Sequence, residues 1–395
     1  MRNQRRYSGM PTRSALSRTI LLVTARSDHG GGPRHRLDLL RAFNGQHFEF
    51  FVAAPQQEPY GPKFKSFAIE MIDIPVSKFS TTAFWKIWEL VQREKIDVVH
   101  SHGSEAGLYS RPLRVAAKIA KFFFDRLKWL IADLPEIHVP KVVHTFHGVR
   151  REKTSLGRIS LALDQALSFT DFTPVFASQS ERNDAWKYGC ARESQEGAVI
   201  ENAIDFTRFI GRNRLAFKND SQESATRKLT RVGTFLRPDH SKGPDRFLNF
   251  VRDNRTLAHF SCVGITKDEL GAYGEVPAWL EVHGRMDEPA PWLQDLDVYV
   301  SMARTEGLPL GVLEAMASGC LCVLSEIPAH RDFKMTKSAL IYDPAKPESL
   351  AREIELLKND SALRDTLLKN ARILIHSRHS IDVFKEKLTG IYSSD

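Results

Sequence analysis

What this chain of 395 residues has little of sets the first bounds. No stretch approaches the roughly 18 consecutive apolar residues of a spanning helix. The opening MRNQRRYSGMPTRSALSR is basic but lacks the apolar region of a secretory signal. Cys190, Cys262, Cys320 and Cys322 are too few for a disulfide scaffold, and the last two do not have metal-knuckle spacing. A cytoplasmic, reducing compartment is the expectation, with peripheral attachment to the inner face of the cell membrane left open. Negative charge is in deficit, and the net +8 favours polyanionic or membrane-surface partners without deciding between them. No nucleic-acid partner is expected. With 42% hydrophobic and 26% charged residues, the chain can build two ordinary cores.

Short apolar runs alternate with helical patterns from residue 18 onward, after a basic flexible tail at 1–17. TILLVTA, FEFFVAAP, IDVVHSHG, VPKVVHTFHG, FTPVFASQS and GAVIENAIDF read as buried parallel strands. The polar GRNRLAFKNDSQESATRK, 211–228, reads as a linker. LTRVGTFL, AHFSCVG, LEVHG, DLDVYVSM and CLCVLSE supply a second strand set, over 229–379. The expected fold class is α/β, with two Rossmann-like open parallel sheets in tandem. The amphipathic 380–395 is expected to return to the first domain, 18–210.

RTEGLPLGVLEAMASG, 304–319, places Glu306 before a helix start and Glu314 inside the helix. Pro309 suits the first turn and Gly319 the C-terminal cap. Leu310 and Gly311 then offer free N–H groups at a positive helix end, an anion site at the carboxyl end of a strand. A diphosphate fits there, with one carboxylate accepting a ribose diol. The plainer alternative makes Glu306 a cap and Glu314 a surface acid.

This stretch resembles the signature of the retaining GT-B glycosyltransferases of family 4, the glycosyl transferases group 1. RVGTFLRPDHSKGPDRFL, VIENAIDFTRF, HGGGPRHRLDLL, DVVHSHGSEAGLYSR and VVHTFHG resemble further family segments in order. The resemblance implies a donor domain on the C-terminal side, with Glu306 on the donor sugar and Glu314 on the ribose. Gly307, Leu308, Leu310, Gly311, Arg285 and Gly233 would line the donor site, and the base would lie near His283 to Met286. It implies transfer from a UDP- or GDP-linked sugar, with retention, to a saccharide or lipid-linked glycan acceptor in bacterial surface-polysaccharide synthesis. A nucleotide-sugar-binding subunit without turnover and a GT-B sugar epimerase are the alternatives.

Cleaving a sugar–diphosphate bond builds negative charge on the leaving phosphate, which needs a metal ion or protein cations. Lys242 and Arg237 are the candidate cations. Arg237 substitutes for the arginine that the family usually places where this chain has Thr234. The DLD at 295–297 runs straight into a strand and reads as strand entry, so neither metal nor other cofactor is expected. His147, at the end of KVVHTF, faces the mouth of the first sheet, and the resemblance makes it an active-site histidine. His144 lies on the opposite face and reads as structural, His102 as acceptor-side lining. Gly31 and Gly32, also assigned to the acceptor side, let the backbone approach a ligand at the end of the first strand, though a plain strand-to-helix turn would use them as well.

The segment 111–131 reads as a basic amphipathic helix. Arg111, Arg114, Lys118, Lys121 and Lys128 share one face, and Leu113, Ala116, Ile119, Ala120, Phe123, Leu127 and Leu130 the other. The apolar side is expected on the sheet, with the cationic stripe facing solvent or anionic lipid.

Overall fold

The computed structural model describes residues 18–28, 30–45, 48–76, 78–129, 131, 134–148, 155–195, 197–209, 230–306 and 309–394. The expected tail and linker lie outside them. Two all-parallel sheets form the chain. The first contains β1 (Arg18–Thr24), β2 (Phe48–Ala54), β3 (Met71–Asp73), β4 (Val98–His102), β5 (Lys141–Thr145), β6 (Thr173–Phe176) and β7 (Ala198–Val199), in the order β3-β2-β1-β4-β5-β6-β7. The second contains β8 (Arg231–Phe235), β9 (His259–Val263), β10 (Glu281–Val282), β11 (Val298–Ser301), β12 (Leu321–Ser325) and β13 (Leu340–Tyr342), in the order β10-β9-β8-β11-β12-β13.

The longer helices are α1 (Gly31–Phe43), α2 (Thr81–Glu94), α3 (Ser104–Leu127), α4 (Ser155–Leu167) and α5 (Gln179–Lys187) in the first domain. They continue as α6 (Pro244–Asp253), α7 (Leu310–Ala317), α8 (Pro347–Asn359), α9 (Ser361–Arg378) and α10 (Ile381–Ser393). Helices cover both faces of each sheet, so central strands such as Ile20-Leu21-Leu22-Val23 are fully buried and carry no polar alternation. The edge strands β3 and β13, each three residues long, have no counterpart among the expected strands.

Strand order reverses between β1 and β4 in the first sheet and between β8 and β11 in the second. Such switch points open a crevice at the strands' carboxyl ends. The loops that leave β1, β4, β8 and β11 carry most of the candidate residues.

Helix α10 returns to the first domain, where Phe384, Leu388 and Tyr392 join Ile20, Leu22, Phe43 and Val143 in one core. The Tyr392 hydroxyl lies 2.6 Å from His100 Nδ1, and His100 Nε2 lies 2.7 Å from Thr145 Oγ1. His100 is therefore an anchor for the last helix.

Helix α3 departs from its sequence reading. Arg111 is not on a solvated cationic face; it is fully buried and ion-paired with Asp164. Arg114 and Lys118 are both tied to Asp171, and Lys121 and Lys128 flank Asp125. The helix outruns the sheet, so Ile119, Phe122, Phe123 and Leu127 are exposed, with Trp129 beyond them at 81%. The 3.6-residue period locates faces but not where the underlying sheet ends.

Candidate active site

On the second domain the site is built around the tip of α7. Pro309 is the N-cap and not the first helical residue, and its carbonyl accepts the N–H groups of Val312 and Leu313. The N–H groups of Leu310 and Gly311 take no acceptor among the described residues. Glycine is needed at 311 because a Cβ there would stand 2.6 Å from the Phe235 ring at the end of β8.

Glu314 is not a surface acid. It is 7% exposed, and its carboxylate lies 3.5 Å from Arg34 Nε of the first domain. Burial pushes its carboxyl up to about 7; Arg34 and Arg208 oppose the shift, and Asp38 and Glu288 add to it.

Glu306 does not cap α7, which has no side-chain cap, but accepts Lys242 Nζ at 2.5 Å. Lys242 closes the turn His240–Lys242, followed by Gly243 at φ 71, where a Cβ would strike the Met302 carbonyl. Arg304 braces that turn, with its guanidinium on both Asp245 oxygens (2.8 and 2.6 Å) and on the His240 carbonyl (2.9 Å). The cation and the carboxylate are thus held by a second ion pair.

Arg237 is exposed and reaches across to the first domain, its Nη1 3.3 Å from where a Cβ would stand on Gly30. Thr234 is buried in β8, so the arginine function cannot come from that position. Gly233 lies mid-strand, where Leu296 and Trp292 occupy the room of a side chain. Arg285 is exposed and paired with Glu269 at 2.6 Å, and no contact joins it to Glu306, Glu314 or Lys242 among the described residues. Gly307 and Leu308 lie outside the described residues. The DLD aspartates hold structure: Asp297 accepts the N–H groups of Thr230 and Arg231. Among the described residues no group of three or more His, Cys, Asp or Glu side chains is placed to hold a metal ion.

On the first domain the tip of α1 faces that of α7. A Cβ on Gly31 would stand 3.2 Å from Leu310 Cδ1, so glycine permits the approach. A Cβ on Gly32 would instead stand 2.8 Å from Arg36 Nη1. Behind them His102 Nδ1 and His147 Nε2 are 3.0 Å apart, one donating and one accepting. Burial holds both imidazoles well below the usual histidine range, with His100 and Arg36 adding to it at His102 and Arg36 at His147. Both are neutral at pH 7 and act as polar contacts, not as cations. His144 points the other way, its Nδ1 2.8 Å from Ser101 Oγ. Buried Glu181 fixes the turn after His147 by accepting the N–H groups of Gly148 and Ala177.

The sequence reading missed Arg34, Arg36, Arg304 and Glu181. The first two were legible as the only charges in GGGPRHR, one helical turn past the glycines. Nothing local marked the others.

Two family models match the chain: Glycosyltransferase Family 4 over residues 29–208 and Glycosyl transferases group 1 over residues 226–360. The chain belongs to the group 1, family 4 glycosyltransferases of GT-B fold. It is 25% identical over 326 residues, 78% of this chain and 77% of the other, to the Escherichia coli UDP-Gal:alpha-D-GlcNAc-diphosphoundecaprenol alpha-1,3-galactosyltransferase. It is 26% identical over 178 residues, 41% of this chain and 50% of the other, to the lipopolysaccharide core biosynthesis mannosyltransferase LpcC of Rhizobium leguminosarum bv. viciae. Anabaena HepE, solved with UDP and glucose, superposes at a TM-score of 0.75 with 15% identity over 96% of this chain and 100% of its own. WaaG, a glycosyltransferase involved in lipopolysaccharide biosynthesis, does so at 0.65 with 13% identity over 95% and 100%. These two likenesses establish the shared fold. Among the described residues no helix is long and apolar enough to cross a membrane.

Proposed function

We propose that this glycosyltransferase moves a sugar from a UDP- or GDP-linked donor to a saccharide or lipid-linked glycan, with retention and without a metal ion, in bacterial surface-glycan synthesis. The carrying observation is the tip of α7: two open N–H groups flanked by buried Glu314 and by the Lys242–Glu306 pair, facing the glycine tip of α1. The diphosphate lies against the Leu310 and Gly311 N–H groups, where the helix end favours negative charge. Ionised Glu314 accepts the ribose hydroxyls, and Glu306 accepts a hydroxyl of the transferred sugar. As the bond to the anomeric carbon breaks, Lys242 and Arg237 stabilise the charge on the departing phosphate, work that would otherwise need a cation. His147, neutral and held by His102, lines the acceptor side beside the reacting sugar. The leaving phosphate takes the acceptor's proton.

The relatives that act on a diphosphoundecaprenol-linked sugar and on lipopolysaccharide core support a membrane-linked acceptor. We place the protein at the cytoplasmic membrane face through the exposed apolar edge of α3, where Phe122, Phe123 and Trp129 stand among Lys121, Arg126 and Lys128.

The test is release of free nucleoside diphosphate from UDP- and GDP-sugars, with and without membrane extract, in excess chelator, with the product anomer read by NMR. Acceptor-dependent release, unaffected by chelator and giving the donor's anomer, is expected. Sugar interconversion without acceptor would replace the proposal with epimerisation, and binding without release would make the protein a donor-binding subunit.

A further inference from the structure

The loops that lead into β6 and β7 enclose a cavity of about 340 Å³ at the amino ends of the strands, on the side of the first sheet away from the α1 and α7 tips. Residues 169–173, between α4 and β6, form one wall, and Arg192, Ser194 and Gln195, between α5 and β7, form the other. One side chain knits the two walls together. Gln195 Nε2 donates to the carbonyls of Ser168 and Thr170 at 3.4 and 3.2 Å, while its Oε1 accepts the Arg192 N–H at 2.9 Å. The cavity is therefore formed before any ligand arrives, which lowers the entropy cost of binding.

Its lining combines planar apolar surface with unused hydrogen-bonding capacity. Phe169 is 76% exposed, and the Arg192 guanidinium lies over its ring, 4.3 Å from the centroid. That stack holds the ring in one orientation, so ring and guanidinium together offer a flat surface to the C–H face of a sugar. Buried Phe172 supplies further apolar lining. Asp171 directs one carboxylate oxygen, Oδ2, to both Arg114 and Lys118, and its Oδ1 accepts no hydrogen bond among the described residues. The Thr173 and Ser194 hydroxyls and the Arg192 guanidinium likewise take no hydrogen-bonding partner among the described residues. Donors and acceptors of both kinds thus stand open around an aromatic face. Other ligands fit less well. An anion would meet a single unpaired cation with the Asp171 carboxylate close by, and an acyl chain would leave two hydroxyls desolvated and unpaired.

We propose that this cavity is a second, non-catalytic saccharide-binding site, which takes a neutral hexosyl unit with its ring against Phe169 and Arg192 and its hydroxyls on Asp171, Thr173 and Ser194. Because the cavity lies at the opposite ends of the strands from the candidate active site, its occupant is not the reacting sugar. It holds a remote part of a glycan chain, or a second chain, and raises the local concentration of saccharide at the protein. What the bound glycan is for rests on the sugar-transfer reading; the existence of the site does not.

The experiment titrates the full chain, without donor, with maltotriose, chitotriose, mannotriose and lactose by ligand-observed NMR, beside inorganic phosphate and phosphatidylglycerol vesicles. At least one saccharide is expected to bind with a Kd of about 1 mM or tighter, and to slow amide hydrogen exchange over 168–173 and 192–195. Phe169→Ala should weaken that binding about tenfold and Asp171→Asn about threefold, while Phe169→Trp, which keeps a planar face, should retain it. Phe169 and Arg192 are exposed, so Phe169→Ala and Arg192→Ala are expected to melt as wild type does and to report on the ligand alone. Failure of all four saccharides to bind overturns the site, as does equal affinity in wild type and Phe169→Ala. Binding confined to phosphate or to the vesicles and lost in Arg192→Ala overturns it as well, in favour of an anion site. Because no transfer is read, a chain that binds saccharide here but releases no nucleoside diphosphate would lose the sugar-transfer reading and keep this one.

Discussion

Protonating Glu314 removes the acceptor that the ribose hydroxyls need, so donor affinity is expected to titrate in the physiological range. Its carboxyl stands near 7 in the fold against an ordinary 4.5. Because the folded value is the higher one, the unliganded protein holds the proton more tightly than the unfolded chain. The contribution of Glu314 to stability is therefore greatest below about 4.5 and is lost as pH rises through 7, by about 3 kcal/mol in all. Donor binding runs the opposite way. Half of the protein carries the carboxylate at pH 7 and about a tenth at pH 6, so affinity should fall about tenfold per unit below neutrality. The charges that set the midpoint are Arg34 and Arg208, which lower it, and Asp38 and Glu288, which raise it. Arg34 Nε, 3.5 Å away, is the nearest of these cations. At an effective dielectric of 20 such a contact is worth about 4 kcal/mol, and half of that moves the midpoint by more than one pH unit. Arg34→Met should thus need a pH of about 8 or above to bind donor. At pH 9 it should match or exceed wild type, because the ribose no longer has to displace a guanidinium. Calorimetry with UDP-glucose and GDP-mannose from pH 5.5 to 9 reads this directly, since their diphosphate diesters do not titrate there. A flat wild-type profile, or superimposable wild-type and Arg34→Met profiles, would refute the reasoning.

Glu314→Ala should abolish the thermal stabilisation conferred by the donor, and an unchanged melting shift would remove its ribose role. Lys242→Ala should lower kcat by about a hundredfold with little change in KM, because its charge is needed mainly as the phosphate departs; a loss confined to KM would make it a ground-state contact. Tyr392→Phe leaves His100 Nδ1 buried without its 2.6 Å partner, and urea denaturation should show a loss of about 1 to 3 kcal/mol. Serine at Ile119, Phe123 and Trp129 together should reduce flotation with anionic liposomes more than glutamine at Lys118, Lys121 and Lys128 does; the reverse order would return the membrane contact to the cations.

Why some of the site was legible and some was not follows from the range of the interactions involved. Glu306, Glu314, Leu310 and Gly311 belong to one strand-to-helix connection, where proline, glycine and the helical repeat fix the geometry within about ten residues. The alternation of apolar runs with helical patterns likewise carries the fold class, because parallel strands covered on both faces lose their polar alternation. Arg304 escaped because its value lies in reaching Asp245, and Glu181 because it binds the backbone of Gly148, 33 residues away. The misreading of Arg111 has the same origin. Its helical face was assigned correctly from spacing, but Asp164 on α4 makes the position of Arg111 on that face an interior one. Arg34 and Arg36 combine both cases: the glycine tip places them locally, while the carboxylates that face Arg34 come from the opposite domain and the neutral histidines that feel Arg36 come largely from β4 and the turn after β5. A charged residue one turn past a glycine-rich helix start at a sheet's switch point therefore merits testing as a ligand contact before it is dismissed as solvated.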